Sequence, residues 1–307
     1  MAQAAASLTA DTPDDCRLPR RQRMRYWKPA PALAGLVSGY HLYAVEVTGA
    51  EPHRDVFQPG WANLRFLLTR ETDWRIRLGG GAWQSIGECA LFGPTSVVAW
   101  SKSGSGVVVG AGLTPLGWSR MSSVPAAEWA NKVGGCAAVL GADVAALRTL
   151  LLGAASDDAL PVLLDAFLIG ALGRAGKLET AIGRLDQALL DPGVDTVAAL
   201  AERVGLTPRS LERLAARAFG FAPKLLLRRA RFLRSLHAIR LADAADRSAA
   251  IDAGYTDYSH FVRDAHEFLG MSPQAFLKLD NPLFVQSAKL REQVLGAPAQ
   301  ALGSGGT

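Results

Sequence analysis

Apolar positions along this 307-residue chain change period part-way, from short strand-like runs to helical stripes. Between Tyr26 and about Leu113 the runs are brief and rich in β-branched and aromatic residues, as in Leu36 to Val47 and Ala62 to Leu68. Trp74, Ile76 and Leu78 alternate on one face, and Cys89 to Phe92, Ser96 to Trp100 and Val107 to Val109 follow. Turn chemistry separates them: Glu51-Pro52, Pro59-Gly60, the glycines at 79–81, Gly93-Pro94 and the Ser-Gly repeat at 103–106. Several short strands at this spacing predict a small barrel or sandwich.

From Thr114 the texture turns helical. Pro115 and Pro125 sit where prolines open helices, and Asp143 to Leu152 and Asp157 to Leu172 read as packed Leu/Ala-rich helices. These either join two domains or form a dimer face. Leu178, Ile182, Leu185 and Leu189 mark a further amphipathic helix, stopped at Asp191-Pro192-Gly193. Two short helices then occupy Asp195 to Phe221. Val197, Leu200, Ala201 and Val204 form one stripe, Gly205 allows a left-handed stop, and Thr207-Pro208 opens the second helix as N-cap and first position. Leu211, Leu214, Ala215 and Ala218 repeat the stripe before Gly220. Two such helices across a tight turn fit a helix-turn-helix.

The arrangement returns further along. Lys224 to Arg240 is a long helix with Leu226, Ala230, Leu233 and Leu236 inward and arginines on the other face. A short helix at Arg247 to Gly254, an N-cap at Asp257 and a helix from Tyr258 to Leu269 follow, the last with Phe261, Ala265, Phe268 and Leu269 inward. Gly270-Met271-Ser272-Pro273 mirrors Gly220-Phe221-Ala222-Pro223. Two units on one connecting helix are far more specific than either alone.

Charge sharpens the picture. The net charge is only +5, but between Arg203 and Arg240 basic residues outnumber acidic ones ten to one. From Leu241 to Leu283 the balance reverses, three basic to seven acidic. A basic helical block is the electrostatic footprint of a polyanion-binding surface. With 49% apolar and 20% charged residues the chain reads as globular, and no apolar run reaches the roughly 18 residues of a membrane span. The first residues lack a secretory pattern and the three cysteines, Cys16, Cys89 and Cys136, have no paired spacing. A cytoplasmic, reducing location is the expectation. Catalysis finds no candidate residues: His41 and His53 stand apart from any metal-ligand cluster, no serine sits in a nucleophile elbow, and Cys136 lacks a neighbouring base. No cofactor and no metal are expected. Asn63, Arg65, Trp61, Trp83 and Trp100 either hold a small ligand or pack a β core, and pocket residues stay unassigned.

At this point the chain resembles the AraC/XylS family of bacterial transcription regulators. The resemblance rests on LeuAlaGluArgValGly at 200–205, SerLeuGluArgLeu at 210–214, GlyPheAlaProLys at 220–224, GlyTyrThrAspTyrSerHisPheValArgAsp at 254–264 and LeuGlyMetSerProGlnAlaPhe at 269–276. It covers about Ala181 to Asp280. More weakly, ProHisArgAspValPheGlnProGly at 52–60, PheGlyProThrSer at 92–96 and GlyLeuThrPro at 112–115 look like the sensor region of one branch. The residues and the resemblance together predict an α+β chain: a flexible basic leader at 1–25, a β-rich barrel or cupin-like sensor domain at 26–125, a helical connector at 126–178, an all-α double helix-turn-helix domain at 179–282 and a flexible tail at 283–307.

It also implies site residues. Arg209, Glu212 and Arg213 of the first unit, and Tyr258, Ser259, His260 and Arg263 of the second, would face base edges. Thr207, Ser210, Arg217, Arg228 and Arg229 would meet phosphates. Because the second unit is net acidic, the first is expected to carry most of the affinity. A family relative that repairs DNA through a reactive cysteine is set aside, since neither Cys16 nor Cys136 has its Pro-Cys-His context. The expected function is a sequence-specific DNA-binding transcription regulator, ligand-responsive through its N-terminal domain. The alternative is an N-terminal domain that only dimerises or recruits a protein. Expected partners are double-stranded DNA, a small-molecule effector, a second copy of the chain and, for an activator, RNA polymerase; no membrane is expected.

Overall fold

The computed structural model describes residues 22–69, 73–140, 143–242, 249–279, 282–297 and 299–302. The strands are β1 (Gln22–Trp27), β2 (Val37–Val45), β3 (His53–Phe57), β4 (Asn63–Leu67), β5 (Arg75–Leu78), β6 (Gln84–Ser85), β7 (Cys89–Phe92), β8 (Ala99–Ser103), β9 (Gly106–Leu113) and β10 (Val133–Gly135). They pair antiparallel into one sheet ordered β1-β2-β9-β4-β7-β10 and a smaller one ordered β3-β8-β5-β6.

Strand periodicity explains how the two sheets enclose an interior. On one face of the larger sheet, Tyr40, Leu42, Leu64, Phe66, Val109 and Ala111 pack against helices. These are α1 (Pro115–Met121), α2 (Ala137–Leu140), α3 (Val144–Leu152) and α4 (Ala159–Gly170). Asp165, which interrupts the apolar run of α4, accepts hydrogen bonds from Tyr40 Oη at 2.6 Å and the Ala30 amide at 2.8 Å. The polar residue therefore pins the connector helix to the sheet. On the opposite face, Leu67, Ala90, Phe92 and Val108 meet Trp74 and Ile76 of the smaller sheet. His41, Tyr43 and Arg65 share that inner face, nearer β1.

The remaining helices are α5 (Glu179–Leu190), α6 (Val197–Val204), α7 (Pro208–Leu214), α8 (Pro223–Leu241), α9 (Tyr258–Leu269), α10 (Pro273–Leu277) and α11 (Pro282–Leu295). The core of this half runs without a break into the β half. Val56, Trp61 and Val98 belong to the same buried cluster as Leu200, Phe219, Phe232 and Phe268. Trp61 meets the Phe219 ring edge-on at 5.4 Å, and the Val98 amide donates to the Phe268 carbonyl at 2.7 Å.

Three sequence expectations need correction. Residues 22–25, assigned to the flexible leader, form β1, because Arg23 and Arg25 pair with Asp157 and Asp158 and the backbone completes a ladder with β2. The basic run before Gln22 lies outside the described residues. The segment after 282, expected as a loose tail, contains α11, whose Leu290 packs against Met24, Tyr26, Tyr43 and Val45. The short helix expected at Arg247 to Gly254 lies partly outside the described residues, and residues 249–254 form turns rather than a helix.

Candidate nucleic-acid interface

Local sequence sets both helix-turn-helix units. In the first, the Thr196 hydroxyl caps α6 by accepting from the Ala199 amide at 3.1 Å. Gly205 ends α6 in the left-handed region at φ 77°, which a side chain rarely adopts. Thr207 then caps α7, accepting from the Ser210 amide at 3.3 Å, with Pro208 in the first turn. The last turn of this helix widens through Phe219, the Gly220 amide donating to Ala215 O at 3.0 Å. In the second unit Asp257 caps α9 by accepting from the His260 amide at 2.7 Å, and Gly270 stops it at φ 73°. Of the stripes expected from the sequence, Leu200, Ala201, Val204, Leu211, Leu214, Ala215 and Ala218 in the first unit and Phe261, Ala265, Phe268 and Leu269 in the second are buried, while Val197 is half-buried.

The complementary faces carry the candidate readers. Arg209, Glu212, Arg213 and Arg217 all project to solvent from the second helix of the first unit. Thr207 is exposed and Ser210 half-buried, and the Thr207 hydroxyl donates to Ser210 Oγ at 3.0 Å, so both serve the cap first. On α9, Tyr258, Ser259 and Arg263 are exposed, while His260 is half-buried with its ring edge-on to Tyr255 at 5.0 Å. A groove of about 610 Å³ lies between the units, lined by Lys224, Arg228, Arg263 and Glu267 among others.

The connecting helix α8 departs from expectation. Its arginines do not form a free basic face. Arg228 binds Asp264 at 2.6 Å and also Glu267, contacts that raise its pKa above the ordinary range, Glu267 contributing most. Arg231 donates to Gly254 O at 3.0 Å, and Arg234 pairs with Asp252 at 2.8 Å and reaches Leu189 O. Asp252, Asp264 and Glu267 of the second unit therefore face the arginines of α8, inside the domain. Arg228 is thus half-committed to carboxylates rather than open to phosphate.

Arg229, expected to meet phosphates, is instead buried. It is 2% exposed, with its guanidinium 3.8 Å above the Trp61 ring and Nη1 donating to the Thr95 carbonyl at 2.8 Å. Burial pushes it down to about 9, so it stays charged at neutral pH, and Asp186 opposes that shift. Asp186 in turn is raised by burial to about 7. No phosphate can reach Arg229 in this arrangement; it ties the helical half to the β half.

Residues 200–279 match the family model described as a helix-turn-helix domain. The chain carries an AraC-type helix-turn-helix domain. A domain of this type is the DNA-binding part of a transcription regulator. ToxT from Vibrio cholerae is a structural neighbour at TM-score 0.44 and 11% identity, covering 84% of this chain and 98% of that one. A ToxT structure with bound unsaturated fatty acid gives TM-score 0.43 at 8% identity, covering 85% and 96%. The AraC-like transcriptional activator CuxR gives TM-score 0.30 at 14% identity, covering 71% and 85%. No curated protein matches.

Outside the AraC-type domain, the β half separates the five residues proposed for a ligand or a core. Asn63 and Arg65 line a cavity of about 120 Å³, whereas Trp61 lies under Arg229 and Trp83 and Trp100 stack near Arg77. The cavity also takes in Tyr26, His41, Tyr43, Ser287 and Arg291, which the sequence had not grouped. One signal was present: Leu290 and Val294 at helical spacing after Pro282 mark α11 as amphipathic. Cys136 is buried and its thiol is pushed up to about 12 by burial, which disfavours a thiolate nucleophile there.

Proposed function

We propose that the chain is a sequence-specific DNA-binding regulator of transcription whose two recognition helices are α7 and α9. The observation that carries this is the solvent-facing row Arg209, Glu212, Arg213 and Arg217, set on a helix whose other face is fully buried. Arginine grips guanine O6 and N7 as a fork and glutamate accepts from cytosine N4, so the row can read sequence as well as bind. On α9 Arg263 is the one arginine, beside Tyr258 and Ser259, so α7 supplies more of the affinity. Arg217 and Lys224 are the exposed cations suited to phosphate contact.

Binding-site selection with the full chain tests this. Arg213→Ala is expected to cost about 1–3 kcal/mol on the preferred site and to relax one base position. Arg263→Ala is expected to cost less. An unchanged preferred site in the Arg213 variant would sink the assignment of α7, and equal losses would sink the asymmetry.

The β domain is read as a sensor, because it encloses a polar cavity beside the element that follows the DNA-binding domain. A second reading makes it a dimerisation module. Leu150 on α3 and Val162 and Ile169 on α4 are exposed to 57%, 65% and 42%, an apolar surface suited to a second copy of the chain. Sedimentation of the full chain distinguishes a dimer from a monomer.

A further inference from the structure

The cavity of the β domain holds two buried cations with unused donors. Arg65 lies on the inner face of β4, its guanidinium between the Phe57 and Phe92 rings at 4.7 and 4.3 Å. It is 9% exposed, and its Nε and Nη1 are buried without a hydrogen-bond partner among the described residues. Arg291 comes from α11, is 8% exposed, and its Nη1 is likewise unpartnered, Nη2 reaching only Ser38 O at 3.5 Å.

No described carboxylate forms an ion pair with either guanidinium. Asp55, whose charge Arg65 feels, accepts from the Val56 amide through Oδ1 at 2.7 Å, and its Oδ2 lies 3.6 Å from His53 Nε2. Beside Arg65 on the inner face, the ladder sets His41 opposite Gly110, and Gly110 opposite Arg65. A Cβ on Gly110 would come within 2.4 Å of the imidazole, so the glycine gives that ring its room. Burial, then Arg65 and Arg291, lower the His41 pKa well below its ordinary value, which keeps the ring neutral. The site therefore carries two positive charges and no third.

Desolvated cations with idle N–H groups are costly unless an anion meets them. Guanidinium forks suit oxyanions, which they can bind through two parallel hydrogen bonds. We propose that this cavity binds a small dianionic oxyanion clasped between Arg65 of the barrel and Arg291 of α11, so that occupancy locks the C-terminal helix onto the barrel. The volume of about 120 Å³ corresponds to about four waters at roughly 30 Å³ each, which fits a compact dicarboxylate or phosphate rather than a long chain. The helix is already seated for this role. Ser287 Oγ lies 2.6 Å from Tyr26 Oη, which lies 2.7 Å from Tyr43 Oη, and Leu295 fills the space over Gly39, where any Cβ would collide with it. The inference rests on reading the β domain as a sensor and names its ligand class.

Succinate, inorganic phosphate and propionate, each at millimolar concentration, test it on the full chain through melting temperature and amide hydrogen exchange across residues 286–295. Succinate is expected to raise the melting temperature and slow that exchange, with propionate much weaker. A response to phosphate but not succinate would assign the dianion to the phosphate class and uphold the clasp. Arg65→Met and Arg291→Met are each expected to weaken binding about ten- to a hundredfold. If either fails to fold, Arg291→Lys decides, because it keeps the charge but loses the fork and must still weaken binding. No response to either dianion, or a response unchanged in the arginine variants, overturns the proposal. If a broader screen then finds another ligand, the sensor reading survives alone; if it finds none, that reading falls too, while the Arg213 test of DNA reading is untouched.

Discussion

Arg228 shows how far a residue's role depends on partners that sequence spacing does not reveal. Composition marked it as one arginine in a basic block, and the helical period put it opposite the apolar stripe. Its partners, Asp264 and Glu267, lie more than thirty residues away on α9 and meet it only because the two units fold against a common helix. Asp264 is 1% exposed and also accepts from Tyr255 Oη at 2.8 Å, so it depends on donors within the domain. Arg228→Ala is therefore expected to lower stability by about 1–3 kcal/mol, by leaving a buried carboxylate short of its charged donor. Urea unfolding checks the magnitude. A stability unchanged from the parent chain, with only DNA affinity reduced, would return Arg228 to the phosphate-contacting set.

At the scale of elements, what was legible is what local chemistry decides. Helix stops at Gly205, Gly220 and Gly270 adopt left-handed backbone, and Thr207 and Asp257 cap their helices, as their types and positions predicted. Less legible were elements held by distant partners: β1 needs the β2 edge and the acids at 157–158, and α11 needs the barrel mouth. Gly220 has a second role that no local rule exposes. A Cβ there would stand 2.6 Å from Pro94 Cγ, so the glycine also permits the close approach of the two halves. The outer face of α4 is apolar. Val162 and Ile169 lie seven positions apart, on one side of the helix, while Leu160, Leu164 and Leu168 bury the other. If copies of the chain associate through it, Val162→Asp is expected to convert a sedimenting dimer to a monomer without lowering the melting temperature of the protomer. A dimer that persists in this variant would place the interface elsewhere, and a parent chain that is already monomeric would remove the dimerisation reading.

For the whole molecule, the question is whether the β half and the DNA-binding half move as one. Their shared core, the Trp61–Phe219 contact and the Val98 amide bonded to Phe268 O hold them in one arrangement. Arg229 is the polar centre of that contact, since its guanidinium covers Trp61 and donates to the Thr95 carbonyl. Removing the guanidinium while keeping an apolar stem leaves that carbonyl without its charged donor and forfeits the cation–π contact, a loss of about 1–3 kcal/mol localised at the junction. Since each 1.4 kcal/mol is a factor of ten in an equilibrium, Arg229→Met is expected to raise the population of undocked halves about ten- to a hundredfold. The Val98 amide reports this directly, because its hydrogen bond crosses the junction. Its exchange should accelerate by that factor, while amides inside β4 and β9 keep their protection. Uniform acceleration throughout the chain would mean that Arg229 supports overall stability only. An unchanged Val98 rate would mean that apolar packing alone joins the halves, and that Arg229 is not the link through which a ligand in the barrel could reach the DNA-reading helices.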